Sequence, residues 1–328
     1  MDKTLLIYIV FSAVILVALV LDLGLLSKKN QIISLKTALL QTIFWVMLSF
    51  AFCAFIWYEN EGGHGKEDAI SYISAYLLEW SLSIDNIFVF IIIFSFFKVK
   101  EVNYSRVLLL GILMAIIFRI LFIAVGSGLV ARFGWIMYVF GVFLMYTGIK
   151  MFSSSEEEEF NPEENWAFKF MRRYLRTTDE EPHGRFVITK HNKSYFTKLS
   201  MVVIMLGLID IVFAVDSIPA VFSIIPDPSK KLLIYSSNIF AVLGLRSLFF
   251  LLRGAASKFD FLQQGIAIVL VFIGVKMMLP LLEYAGVNSH YLHMPVWISL
   301  LVIVVCISGS ILYSIYHKRK GVPKDIKA

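Results

Sequence analysis

The chain has 328 residues, 59% hydrophobic and only 16% charged, with a mean hydropathy of +0.78; an ordinary soluble domain is about a quarter charged, so that class is excluded. Its net charge of +6 does not point to nucleic acid, because in so apolar a chain Lys and Arg mark the inner loops of a membrane protein. The apolar runs are continuous and do not alternate, which excludes a membrane β-barrel and leaves an all-α integral membrane protein.

Nine spans are expected, each long enough as a helix to cross about 30 Å of hydrocarbon. The first, roughly 4–26, follows only Lys3 and lacks a small-x-small cleavage site, so it reads as an anchor and not a removable signal. Asp22 sits near its inner end. With a second span at 37–57 and the loop after it, this makes an N-terminal segment over 1–68. Spans at 69–97, 106–130 and 134–152 form a first group of three (69–152). A polar stretch, 153–198, follows. Its Glu156–Glu159 run reads as solvated loop, and Trp166–Arg176 either as an amphipathic helix turning Arg172, Arg173 and Arg176 towards inner-leaflet phospholipid or as a basic loop without a partner. Spans at 199–225, 232–252 and 261–282 form a second group (199–284), and a last span at 295–316 with a basic tail completes 285–328. Cys53 and Cys306 fall inside apolar runs and staple no exposed loop; His64, His290 and His293 fall in outer loops and read as ordinary solvated residues.

Orientation follows from the basic residues. With the N-terminus outside, inner segments hold 22 Lys and Arg and outer segments five, which predicts N-out and C-in.

The two groups of three look like copies of one unit. The first carries Glu79 and then Asp85-Asn86-Ile87; the second carries Asp210 and then Asp216-Ser217-Ile218, with acid and Asp six apart in both. Arg119 and Arg246 follow, then Phe133 and Phe259, each seventeen residues before Lys150 and Lys276. By the charge count the copies have opposite topology. Inverted repeats (spans 3–5 and 6–8) are the usual construction of secondary transporters, with a site at the midplane between the halves.

Seven charges lie well inside spans: Glu79, Asp85, Arg119, Asp210, Asp216, Arg246 and Lys276. Each costs about 2.5–3.5 kcal/mol or more to place there. The two Arg read as counter-ions to carboxylates, and Lys276 as a residue snorkelling outward. The acids read as ion ligands. Pro219 is expected to break span six and leave the carbonyl of Val215 unpaired. With Asp85, Asp216, Asn86 and Ser217 that makes an all-oxygen site suited to Mn²⁺, Mg²⁺ or Ca²⁺. Zinc, nickel and copper are disfavoured, since none of the six His lies in a span core. Two Asp on different spans also suggest an intramembrane protease dyad, but each has an Asn or Ser neighbour and an inverted partner acid, which suits ion binding better. No phosphate-binding Gly loop, nucleotide motif or Ser/His/Asp arrangement is found, so neither an enzyme nor a prosthetic group is expected.

The strings Glu79-Trp-Ser-Leu-Ser-Ile-Asp85-Asn86-Ile-Phe and Asp210-Ile-Val-Phe-Ala-Val-Asp216-Ser217-Ile-Pro219-Ala strongly resemble the TerC family. The likeness continues through Leu21-Asp22-Leu23, Tyr146-Thr-Gly-Ile-Lys150-Met, Arg172-Arg-Tyr-Leu, Asn238-Ile-Phe-Ala-Val-Leu-Gly-Leu-Arg246-Ser-Leu and Val271-Phe-Ile-Gly-Val-Lys276-Met. The resemblance implies a multi-pass inner-membrane exporter whose cargo is Mn²⁺. Exchange for protons is expected, because metal and proton compete for the same carboxylates. In that reading Asp85 and Asp216 are the first ligands, Asn86 and Ser217 support them, and Glu79 and Asp210 are ligands or proton carriers; Asp22, Arg119, Arg246 and Lys276 are pathway residues or counter-ions. One departure stands out: Gly207 occupies a position where the family commonly has Glu, one turn before Asp210. The alternatives are an exporter of Ca²⁺ or Mg²⁺, or a membrane scaffold in envelope-stress or tellurite response. The expected partners are the bilayer, a divalent cation and protons, with no nucleic acid; protein partners are not legible.

Overall fold

A computed structural model describes residues 9, 11–17, 33–59, 65–153, 166–178, 184–190, 193–253, 261–281 and 294–321. The helices are α1 (Leu35–Glu59), α2 (Gly65–Phe96), α3 (Glu101–Arg132), α4 (Ile136–Ser153), α5 (Trp166–Tyr174), α6 (Lys198–Ile224), α7 (Lys231–Arg253), α8 (Leu262–Met278) and α9 (Val296–Gly321). Seven of them (α1, α2, α3, α6, α7, α8 and α9) are long and apolar enough to cross a membrane, and α4 is a shorter apolar helix. Of the first expected span only residues 9 and 11–17 are described, and these are helical. Asp22, His64, the Glu156–Glu159 run, His290 and His293 lie outside the described residues.

Several helices outrun the apolar windows that predict them. The first turn of α2 carries Glu67 and Asp68 and that of α3 carries Glu101, acids that complement the positive end of a helix dipole. The expected break at Pro219 is absent: α6 is one continuous helix with Pro219 inside it. Proline removes one amide donor, but Ile218, Ala220, Val221 and Phe222 around it are buried, and packing on neighbouring helices holds a span through that loss. Unwound carbonyls are therefore not among the ligands on offer.

The packing order is informative. α4 lies most extensively on α8, α2 on α7, and α3 on α6, with α1 against α7 and α9 against α2 and α8. α7 is buried along nearly its whole length. α1 and α9 turn large apolar side chains outward, among them Leu40, Met47, Leu301 and Leu312, as rim helices facing lipid do. Small residues bring backbones together. A Cβ on Gly148 of α4 would lie 2.8 Å from the carbonyl oxygen of Ala267 and 2.7 Å from Val271 Cγ2; one on Gly274 of α8 would lie 2.6 Å from the carbonyl oxygen of Gly141 and 2.5 Å from Met145 Cγ. These contacts are reciprocal, since the residues touched by each Gly precede the other by the same intervals.

The polar segment between α4 and α6 holds more structure than expected. Of the two readings of Trp166–Arg176, helix or loop, a helix forms as α5, but its apolar face rests on protein: Phe168 and Met171 are buried, with the Phe168 ring edge-on to Phe96 at 5.8 Å and tilted against Phe97 at 6.0 Å. After it comes a hairpin of β1 (Val187–Lys190) and β2 (Lys193–Phe196), in the register Val187↔Phe196 to Lys190↔Lys193. Its sequence signal is the β-branched run Val187-Ile188-Thr189 before a two-residue connection.

Candidate functional site

Two polar layers cross the bundle. The first is centred on Arg119 of α3, buried with only 1% of its side chain exposed. Its Nε and Nη2 donate to Asp210 Oδ2 and Oδ1 of α6 at 3.0 and 3.2 Å. Nη1 donates to Glu79 Oε1 of α2, and at 3.3 Å to Asn238 Oδ1 of α7. Asn238 is held in turn, Nδ2 donating to the carbonyl of Ile234 at 2.9 Å. One guanidinium thus ties together four helices, α2, α3, α6 and α7. Arg119 pairs with two carboxylates where one was expected. Two carboxylates against one guanidinium leave an excess negative charge, and Glu79 Oε2 is buried with no partner among the described residues.

The second layer lies further along the same helices. Asn86 of α2 and Ser217 of α6, each directly after a motif Asp, line one cavity of about 90 Å³ together with Thr147 and Met151 of α4. Asn86 and Ser217 are buried, and Ser217 Oγ has no hydrogen-bond partner among the described residues. Asp85 and Asp216 are helical in backbone, but their side chains lie outside those described. Thr147 and Met151 are one turn apart and so share a face. Sequence reading missed both; they sit on either side of Gly148 in the quoted Tyr146-Thr-Gly-Ile-Lys150-Met string, and only the packing of α4 against α6 and α8 turns them inward. Leu82, Phe213 and Leu270 complete the wall, so a small volume that is partly apolar also meets an amide, two hydroxyl-bearing residues and a thioether, enough to hold a cation or a water. Among the described residues, no three of His, Cys, Asp and Glu come together as a metal-binding group.

The remaining candidates are distributed. Arg246 of α7 is buried. Lys276 of α8 is partly covered and donates from Nζ to Ser299 Oγ of α9 at 2.9 Å, whereas its repeat counterpart Lys150 is exposed. Gly207 faces α3: a Cβ there would stand 1.9 Å from Met114 Cε, so Met114 fills the space that a Glu would need. At the end of the bundle where α6 finishes and α2 begins, a cavity of about 420 Å³ is lined by Glu67, Ser71, Asp227 and Lys230. Lys230 pairs with Asp68 at 2.5 Å, and hydrogen bonds from Ser229 hold the Asp227 carboxyl below the usual carboxylate range. At the other end Arg253 pairs with Glu101.

Known proteins place these features in a context. The family described as integral membrane protein TerC matches residues 64–321. An uncharacterized membrane protein of Myxococcus xanthus, STKORF319, is 38% identical over 318 residues, covering 97% of this chain and 94% of that one. An uncharacterized membrane protein of Rickettsia felis is 38% identical over 311 residues, 95% and 98% of the two chains. The Escherichia coli K12 protein called putative membrane-bound redox modulator Alx is 38% identical over 295 residues, 88% of each. No solved structure matches.

Proposed function

The chain belongs to the TerC family of integral membrane proteins, and from that premise we propose that it exports Mn²⁺ across the inner membrane in exchange for protons, through a site between two inverted halves. The observation that carries the reading is the shared cavity: the residues that follow the two motif acids, Asn86 and Ser217, come from different halves and face the same small volume. Asp85 and Asp216 are assigned the ligand charges, Asn86, Ser217 and Thr147 neutral oxygens, and Met151 a thioether. The carboxylate, amide and hydroxyl oxygens suit Mn²⁺, Mg²⁺ or Ca²⁺, a soft thioether at the wall is out of place for Mg²⁺ and Ca²⁺, and the choice of Mn²⁺ rests on the family. The inverted-repeat reading is supported by the reciprocal contacts of Gly148 and Gly274 and by the crossed packing of α2 on α7 and α3 on α6. Glu79 and Asp210 are assigned to the Arg119 layer, where the excess carboxylate is a place for the exchanged proton.

The test is uptake of Mn²⁺ by everted membrane vesicles with an acid interior. Vesicles containing the protein should accumulate Mn²⁺, lose the uptake when the gradient is collapsed, and take up little Zn²⁺. Zn²⁺ accumulation with Mn²⁺ left outside would overturn the assignment. Reporter fusions after Lys190 and Lys320 check the orientation; both should read cytoplasmic, and opposite readings would remove the basis for inverted halves.

A further inference from the structure

We propose that the cavity between α2, α5 and the start of α6 binds a phosphate-bearing anion, the headgroup of an anionic phospholipid being the source best placed to supply it. This site is separate from the transport reading and does not rest on it.

The cavity holds about 360 Å³ and takes Lys98, Arg172 and Lys198 from three different segments, with Thr177 beside them. No carboxylate stands among its described lining residues. Three converging cations repel one another in the absence of an anion, and in membrane proteins such basic pockets bind lipid headgroups. The walls are aromatic: Phe97 and Phe168 pack together, and Arg172 lies over the Phe168 ring at 5.7 Å. Lys198 is the first residue of α6, and that helix has no side-chain cap at its N-terminus, so the dipole adds to the positive field.

Lys98 supplies an independent observation. It has φ +49, a left-handed conformation that residues with a Cβ avoid. The amide of Lys98 bonds to the carbonyl of Ser95 and that of Val99 to the carbonyl of Phe94, both at 3.0 Å. This is the double hydrogen bond of a Schellman cap, in which the position of Lys98 is normally glycine. A lysine thus stands where glycine is easier, and this lysine borders the cavity. The depth fits a headgroup. Lys98 stands two residues past the end of α2 and Lys198 opens α6, so both lie where the hydrocarbon gives way to the polar face, on the side read as cytoplasmic.

The experiment uses the full chain purified in neutral detergent, with the thermal midpoint followed as short-chain phosphatidylglycerol, phosphatidylcholine or inorganic phosphate is added. Phosphatidylglycerol should raise the midpoint saturably and phosphatidylcholine should not. Lys98→Gln, Arg172→Gln and Lys198→Gln should each raise the half-saturating lipid concentration about fivefold; Arg173→Gln, on the same helix but outside the cavity, should leave it unchanged. Lys98→Gly separates binding from folding: without lipid it should melt no lower than wild type, yet lose lipid response as Lys98→Gln does. If inorganic phosphate reproduces the full shift at similar concentration, the anion site stands and its ligand is soluble. Equal stabilisation by phosphatidylcholine, or a wild-type response from the triple Gln variant, would overturn the proposal.

Discussion

Six residues separate Glu79 from Asp85, and six separate Asp210 from Asp216, about 9 Å along a helix. Over that distance the bundle changes character. At the Glu79–Asp210 level, a guanidinium fills the space and takes both oxygens of one carboxylate and one of the other. At the Asn86–Ser217 level there is a cavity, and Ser217 Oγ beside it has no partner among the described residues. Energetics explains the division. Burying a charge costs several kcal/mol, and at the first level Arg119 offsets most of that cost, although Glu79 Oε2 keeps no partner among the described residues. An unpaired hydroxyl costs about 1–3 kcal/mol, which a folded protein can carry until a ligand arrives. The first level ties helices together through its ion pairs, and the second leaves space for a small occupant.

The strongest way to break this contrast is at Arg119. Arg119→Leu strands two buried carboxylates and should lower stability by about 3–5 kcal/mol, read as loss of inserted protein and a lower melting temperature. Arg119→Lys keeps the charge without the fork and should fall between. Wild-type abundance of the Leu variant would mean that the layer is no clamp.

The next effect is expected in transport without loss of protein. Asp85→Asn and Asp216→Asn should cut Mn²⁺ efflux by about a hundredfold at unchanged membrane abundance, and Asn86→Ala or Ser217→Ala by about tenfold. Efflux normalised to protein level decides it; wild-type efflux from both Asn variants would place the ion elsewhere.

A smaller effect sharpens the geometry of the cavity wall. Gly148 stands between Thr147 and Met151, and a methyl group there or on Gly274 would press on backbone across the α4–α8 contact. Gly148→Ala and Gly274→Ala should each destabilise by about 1–3 kcal/mol, and by similar amounts if the contacts are related by a two-fold. Thermal melting of the two purified variants tests this; a large effect from only one would argue against that symmetry.

The smallest effect concerns Gly207. Gly207→Glu alone should reduce yield through its clash with Met114, and adding Met114→Ala should restore yield while changing the pH dependence of efflux. Full yield from the single variant would show that Met114 moves aside freely.

Much of this molecule is legible along the chain. The membrane class, helices within a few residues of α1 to α4 and α6 to α9 and the paired acid motif follow from apolar runs and residue spacing, whereas α5 was one of two readings left open for its segment. The continuity of α6 through Pro219 was not legible, because a proline's effect depends on the neighbours that brace the helix. Nor was the docking of α5 on Phe96 and Phe97, since an amphipathic pattern says that a face is covered without saying by what. Met151 reads as one more apolar residue until α4 is set against α6.

The sequence by itself determined that charges such as Glu79, Arg119, Asp210 and Arg246 would be buried, because the hydrocarbon penalty makes any intramembrane acid or base conspicuous. Tertiary structure alone decided which acid meets which base. Arg119 lies 40 residues from Glu79, 91 from Asp210 and 119 from Asn238, and helices that are apolar on every side carry no stripe to announce their rotation or depth. Those were set by backbone approach at small residues and by the need to pair one buried guanidinium, and both are properties of helices packed together.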